Sequence, residues 1–304
     1  MMELPDCPAP GWADAALVRL TDAEGGALAW IAPEAGANCI AFAVKRAGEW
    51  VNLLFSAGPD ALRSRPTRFG IPLLAPFPGL LPGGRYAWRG AEYGFAPNVP
   101  DGQSFAHGFA HDRPWRITLR TAGEVEMTLR LPEALSAAER AGYPFEIDLR
   151  ARVSLEGGGL TIGIEAVNCG RDPAPVGLGM HPYAAVASLA EHREDLVAEL
   201  PPPTKAVPLP PLGTAMLEMC HHMGVTPVAR LRAAHGGPAI ELGVTVGARA
   251  LAIYAPADQP SASFEPTTCA LSAMAAGEGG PNGMPALAPG RRIVLGATLR
   301  RVDD

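Results

Sequence analysis

Phe145-Glu146-Ile147-Asp148-Leu149-Arg150-Ala151-Arg152-Val153, then Glu156-Gly157-Gly158-Gly159, then Leu160-Thr161-Ile162-Gly163-Ile164-Glu165-Ala166: these segments decide the fold class. Both outer runs alternate apolar with charged or small residues at period two, the pattern of a strand with one face on a core and one in water. The glycine cluster between them supplies a turn, so the pair reads as a long antiparallel hairpin. The same signals repeat outward. Upstream, residues 115–120 and 125–131 alternate around the Ala122-Gly123 turn, and 85–88 and 92–95 flank Arg89-Gly90. Residues 15–45 hold three short strands, with Trp50-Val51-Asn52-Leu53-Leu54 as an edge, and residues 135–141 hold one helical turn. Downstream, strands are expected at 239–242, 250–254, 262–265 and 293–299, the last launched by Pro289-Gly290. Two stretches break the pattern. Residues 68–79 carry Pro72, Pro76 and Pro78 in an apolar context and read as a buried connection that walls a cavity, since each proline deletes a ladder donor. Residues 196–235 show no legible pattern, and within them Pro201-Pro202-Pro203 and Pro208-Leu209-Pro210-Pro211 bracket a loop that reads as packing on the surface in extended form.

Composition agrees with many short strands. Gly 35 and Pro 32 are spread along 304 residues, and hydrophobic residues make up 48%, enough for a large core. The net charge of −6, with no Lys/Arg stripe, excludes a nucleic-acid partner. Five scattered cysteines, Cys7, Cys39, Cys169, Cys220 and Cys269, make a poor disulfide framework and fit a reduced, cytoplasmic interior. The N-terminus has neither a basic nor an apolar leader region, so no signal peptide is read, and no apolar run is long enough to span a bilayer.

Three segments each set a titratable residue in an apolar run, which is costly unless the residue is used or paired. They are Pro175-Val176-Gly177-Leu178-Gly179-Met180-His181-Pro182-Tyr183, Phe105-Ala106-His107-Gly108-Phe109 and Ser263-Phe264-Glu265-Pro266. The first reads as a strand that delivers His181 and stops at Pro182. His107 and His111 have the i, i+4 spacing of a zinc pair, but Gly108 and Pro114 argue against a helix there. Cys220-His221-His222 point in different directions and read as surface or loop, so no metal is expected. Nucleophile-elbow, phosphate-loop and dinucleotide motifs are absent, which leaves acid–base chemistry by a carboxylate and histidines brought together from distant strands.

The order of these segments resembles the aldose 1-epimerase (galactose mutarotase) family: a Pro-rich apolar loop, His-Gly-Phe before Arg-Pro-Trp, a hairpin, Gly-x-Gly-x-His-Pro-Tyr, Glu-Pro, and a Pro-Gly turn into a last strand. It runs from Pro33-Glu34-Ala35-Gly36-Ala37 to Leu299 and is most specific in Gly177 to Tyr183 combined with Phe264-Glu265-Pro266. The resemblance implies an all-β fold, a large antiparallel twisted β-sandwich forming one domain over residues 1–304, with a sugar in an open cleft. It implies an isomerase that interconverts α and β anomers without a cofactor. Glu265 matches the base that takes the C1 hydroxyl proton, His181 the acid that protonates the ring oxygen, and His107 the histidine that holds the sugar and polarises the same oxygen. Base and acid are expected on opposite sides of one ring. Arg68 and Tyr183 are the substrate-binding candidates, Arg68 because hexose-6-phosphate 1-epimerases carry a phosphate-side arginine there. Those relatives also place arginine where this chain has His111. Two further departures concern recognition: Gly79-Leu80-Leu81 stands where the family has Asn-Arg, and no acidic sugar-binding residue is evident in 196–235. The alternatives are a hexose-6-phosphate 1-epimerase and a non-catalytic sugar-binding protein on the same fold. Retention of His107, His181 and Glu265 together favours the enzyme. The implied partner is a small sugar, with no membrane association and a monomeric or homodimeric state.

Overall fold

The computed structural model describes residues 5–13, 16–200, 206–222, 228–279 and 282–303. The 145–166 stretch forms the expected hairpin, strands Ile147–Glu156 and Gly159–Asn168, paired without interruption from Ile147↔Asn168 to Glu156↔Gly159. Ile147, Leu149, Ala151, Val153 and Leu155 point inward and are buried, while the residues between them face outward. This hairpin supplies the third and fourth strands of a nine-stranded antiparallel sheet. Glu124–Arg130 and the edge strand Arg116–Arg120 extend it on one side. On the other side follow the last strand, Arg292–Val302, then Ala239–Val246, Val228–Ala233, Leu196–Glu199 and Val207–Pro208.

A second sheet carries Leu217–His222, Ala250–Ala255, Ser261–Thr267, Gly179–Met180 and Leu73–Leu74 in that order, with Tyr183–Ala185 also paired to Ser261–Thr267. One apolar cluster joins the inner faces of the two sheets, bringing Met127, Leu149 and Leu295 together with Leu251, Ile253 and Phe264. The architecture is therefore the expected β-sandwich, its inner faces buried by the hydrophobic effect. A four-stranded sheet of Val18–Thr21, Ala27–Ala32, Asn38–Arg46 and Glu49–Asn52 completes the chain's N-terminal part. Among the described residues no helix is long and apolar enough to cross a membrane.

Two expectations are corrected. The 175–183 run is three short pieces, Ala174–Pro175, Gly179–Met180 and Tyr183–Ala185, rather than one strand. The run packs closely, with room only for glycine where a Cβ at Gly177 would sit 2.4 Å from Cys269 Sγ and one at Gly179 2.9 Å from Pro78 Cβ, and Pro182 offers no N–H to carry the ladder on. The second concerns 196–235, illegible in the sequence, where Cys220-His221-His222 reads as surface or loop: the described residues there hold strands Leu196–Glu199, Val207–Pro208, Leu217–His222 and Val228–Ala233. In the last of these Ala229 and Leu231 are buried between outward residues, an alternation that the flanking prolines obscured. Cys220-His221-His222 thus closes a strand, while Pro201-Pro202-Pro203 lies outside the described residues.

Candidate active site

Strand Ser261–Thr267 alternates Ser-Ala-Ser-Phe-Glu-Pro-Thr, so period two sends Ala262 and Phe264 into the core and turns Ser263 and Glu265 to the opposite face. Gly179 pairs with Thr267 and Tyr183 with Ser263. Carried through Pro182, the same register puts His181 across from Glu265. The side chains meet there: His181 Nε2 lies 3.0 Å from Glu265 Oε1, and both residues are 4% exposed. Ser263 Oγ lies 2.8 Å from His181 Nδ1, and the Tyr183 ring stacks on the imidazole at 4.4 Å with its hydroxyl 3.2 Å from Nε2. The imidazole is thus fixed on both nitrogens and one face.

His107 arrives from a different hairpin. Leu80 and Leu81 pair with Ala106 and Phe105, and the chain then turns through positive φ at both His107 and Gly108. Only glycine fits the second position, because a Cβ there would lie 2.3 Å from the Ala75 carbonyl oxygen. The turn lets Gly79 hold His107 twice: its carbonyl accepts the His107 N–H at 2.9 Å, and its N–H donates to Nδ1 at 3.2 Å. Accepting at Nδ1 leaves the ring proton on Nε2. The His107 and His181 rings meet edge to face, 5.7 Å apart.

The electrostatics separate the three groups. Burial alone would raise the Glu265 carboxyl, but the charge and hydrogen bond of His181, with His107 behind them, hold it below the usual carboxylate range. It is ionised at neutral pH. Burial and the neighbouring His181 push His107 down to about 3, so it is a neutral donor. Tyr183 is pushed well above its ordinary value by burial and by Glu265, and stays a phenol.

These residues form the floor of a cleft of about 850 Å³. One end is apolar, with Leu80, 45% exposed, beside Pro82, Val99 and Leu271. The other end carries Arg63, Arg65, Arg68, Tyr254 and Glu218. Arg68 lines the cleft, and its guanidinium is engaged: with Asp258 Oδ1 at 2.5 Å, Tyr254 Oη at 3.1 Å and Gln259 Oε1 at 3.3 Å. Tyr183 lines the floor but spends its hydroxyl on His181. The structure thus brings His107, His181 and Glu265 together with Tyr183, and sets Arg68 in the wall. The opposite-sides arrangement of acid and base does not hold, since a sugar ring has no room between atoms in hydrogen-bond contact. His111 also lines the cleft, buried, with no partner on Nδ1, and burial pushes it down to about 4. Glu218, an acid in the stretch where none was evident, lies opposite Tyr254 on strand Leu217–His222. The signal that could have found it is the strand itself, masked by the prolines before it. Among the described residues no cluster of three or more His, Cys, Asp or Glu could hold a metal ion.

A family model described as Aldose 1-epimerase matches residues 18–200, a span that includes His107 and His181. Escherichia coli (strain K12) protein YihR, itself uncharacterized, is 34% identical over 112 residues, 36% of this chain and 34% of the relative. The match thus spans about a third of the length of that curated relative. Among solved structures, a galactose mutarotase-like protein from Clostridium acetobutylicum superposes with a TM-score of 0.75 at 16% identity, covering 92% of this chain and 94% of the other. The Slr1438 protein from Synechocystis sp. PCC 6803 superposes with a TM-score of 0.75 at 19% identity, covering 100% of both chains. At such identities the superpositions speak to the fold alone.

Proposed function

Because this chain belongs to the aldose 1-epimerase family, we propose that it is an isomerase that interconverts the α and β anomers of a sugar by acid–base ring opening. The observation that carries the reading is the contact of His181 Nε2 with Glu265 Oε1 at 3.0 Å, beside a neutral His107. The two oxygens that exchange protons in the reaction, the C1 hydroxyl and the ring oxygen, are bonded to one carbon. A base and an acid side by side therefore suit them better than a pair on opposite faces. Glu265 takes the proton from the C1 hydroxyl, the C1–O electron pair becomes the aldehyde carbonyl, and the C1–ring-oxygen bond breaks. His181, entering the step as the imidazolium, gives its Nε2 proton to the ring oxygen as that bond breaks and is left neutral, while the neutral His107 donates a hydrogen bond to the same oxygen. Rotation about C1–C2 and closure on the other face reverses both transfers. Atoms and charge balance with no cofactor, the open-chain aldehyde being the intermediate. Such transfers are each worth about 10²–10⁴-fold.

Recognition falls to Glu218 and Tyr254 at the polar end, with Arg68 held by Asp258. That ion pair weighs against the hexose-6-phosphate reading, because a phosphate would compete with a carboxylate already 2.5 Å away. The test is the rate at which freshly dissolved galactose, glucose, 6-deoxy sugars and hexose 6-phosphates reach anomeric equilibrium, followed by polarimetry. At least one should equilibrate faster with the protein than without it. If none does while the protein binds them, the chain is a sugar-binding protein.

A further inference from the structure

We infer that Arg193, whose guanidinium bonds none of the three acid–base residues, is a positioning residue that sets the substrate-recognition walls of the cleft. It opens the short helical turn Arg193–Asp195 and is 2% exposed, yet its guanidinium is spent on main-chain carbonyls rather than on a carboxylate. Nε donates to Pro210 O at 2.7 Å. Nη1 donates to Pro256 O and, at 3.2 Å, to Gln259 O. Nη2 donates to Pro211 O at 3.0 Å and Ala215 O at 3.3 Å. A guanidinium has five N–H donors, and all are used. The sequence explains the need. Pro210, Pro211 and Pro256 bring no N–H of their own and lie outside the strands, so their carbonyls, drawn partly or wholly out of water, are met by an outside donor.

The two segments so tied are the two that carry the recognition end. From 256–259, Asp258 and Gln259 hold Arg68: Asp258 by its ion pair, Gln259 by accepting from Nε and by donating to the Arg68 carbonyl at 2.8 Å. From 210–215 the chain runs straight into Met216 and Glu218, which line the cleft. Gly213 N–H closes the clasp on Ala257 O at 2.8 Å. The acid–base residues are held by other means, His181 and Glu265 by strand register and His107 by Gly79. One buried cation thus governs Arg68 and Glu218 while leaving the proton chemistry to the sheet, an assignment that rests on the proposed sugar-binding role of this cleft.

The test compares Arg193→Met, Arg193→Lys and Gln259→Leu with the wild type by anomer-exchange kinetics and by amide hydrogen exchange. Arg193→Met should raise KM about tenfold or more with kcat changed by less than about threefold, because uniform binding is lost and proton transfer is not. Arg193→Lys, with three donors for five carbonyls, should fall between. Gln259→Leu breaks the relay to Arg68 without touching the carbonyls and should raise KM too, which keeps the test usable if the Arg193 variants do not fold. Exchange protection should fall in 208–217 and 256–260 and persist in 147–168. A drop in Tm with KM unmoved, or a fall in kcat at constant KM, overturns the proposal. Loss of protection in the two loops of the variants, with a wild type inert toward every sugar, supports the positioning role and refutes the sugar-epimerase reading instead.

Discussion

Lowering the pH from about 7.5 to about 5 should destabilise the fold by about 4 kcal/mol through two residues of the cleft, His107 and His111. Burial is the first cause for both, and it pushes His107 down to about 3 and His111 to about 4 from an ordinary 6.5. In the unfolded chain both imidazoles regain the ordinary value, so at a pH of about 5 the unfolded state binds protons that the folded state refuses. Stability therefore falls as the pH drops through 6.5 and goes on falling until the folded values near 4 and 3 are reached. At a pH of about 5 each unfolded imidazole is about 1.5 units below its pKa, worth about 2 kcal/mol at about 1.4 kcal/mol per unit. Depressed carboxylates add their own loss in the same direction, but it sets in as the pH falls into the usual carboxylate range and grows below it, so Glu265, Glu241 and Asp258 leave most of this window to the histidines. Urea unfolding at several pH values reads the change, and His111→Phe should remove about half of the pH dependence. A stability that is flat or rises from pH 7.5 down to about 5 would refute the neutral state of both rings in the fold.

Gly108→Ala should cost about 3 kcal/mol or more, because its Cβ meets the Ala75 carbonyl at 2.3 Å and its φ is +67°; urea unfolding of the variant measures it, and a neutral result would place the His107 turn elsewhere. Leu80→Arg should lower KM for fully hydroxylated hexoses by about tenfold with kcat little changed, since an exposed apolar side chain in the cleft becomes a fork of donors; steady-state polarimetry on galactose and glucose checks it.

Much of this was legible in the chain because period two survives wherever strands are long. The 147–168 hairpin, the Arg85–Trp88 with Ala91–Gly94 hairpin and the final strand fall where alternation and glycine turns place them. Two-residue strands such as Leu73–Leu74 and Gly179–Met180 carry no period to read. The strands between Leu196 and Ala233 were hidden by prolines, whose local signal says loop, while pairing with distant partners makes them sheet, Leu196–Glu199 with Val228–Ala233 and Leu217–His222 with Ala250–Ala255. The site followed the same division. His181, His107 and Glu265 stand in motifs, and the structure brings all three to one cleft. Their mutual contact could not be, because it depends on a register continued through Pro182. Nor could Glu218 or the Asp258 clamp on Arg68, which are products of the cleft wall's folding and not of any local pattern.

The most direct test of the acid–base account is anomeric exchange of a sugar that the wild type accepts, measured by exchange NMR on wild type and Glu265→Gln at matched folded concentration, with sugar affinity measured alongside. Removing the ionised carboxylate while keeping its shape should cut the exchange rate by about 10²–10⁴-fold and leave affinity nearly unchanged. A Glu265→Gln protein that exchanges anomers at the wild-type rate would contradict the assignment of Glu265 as the base.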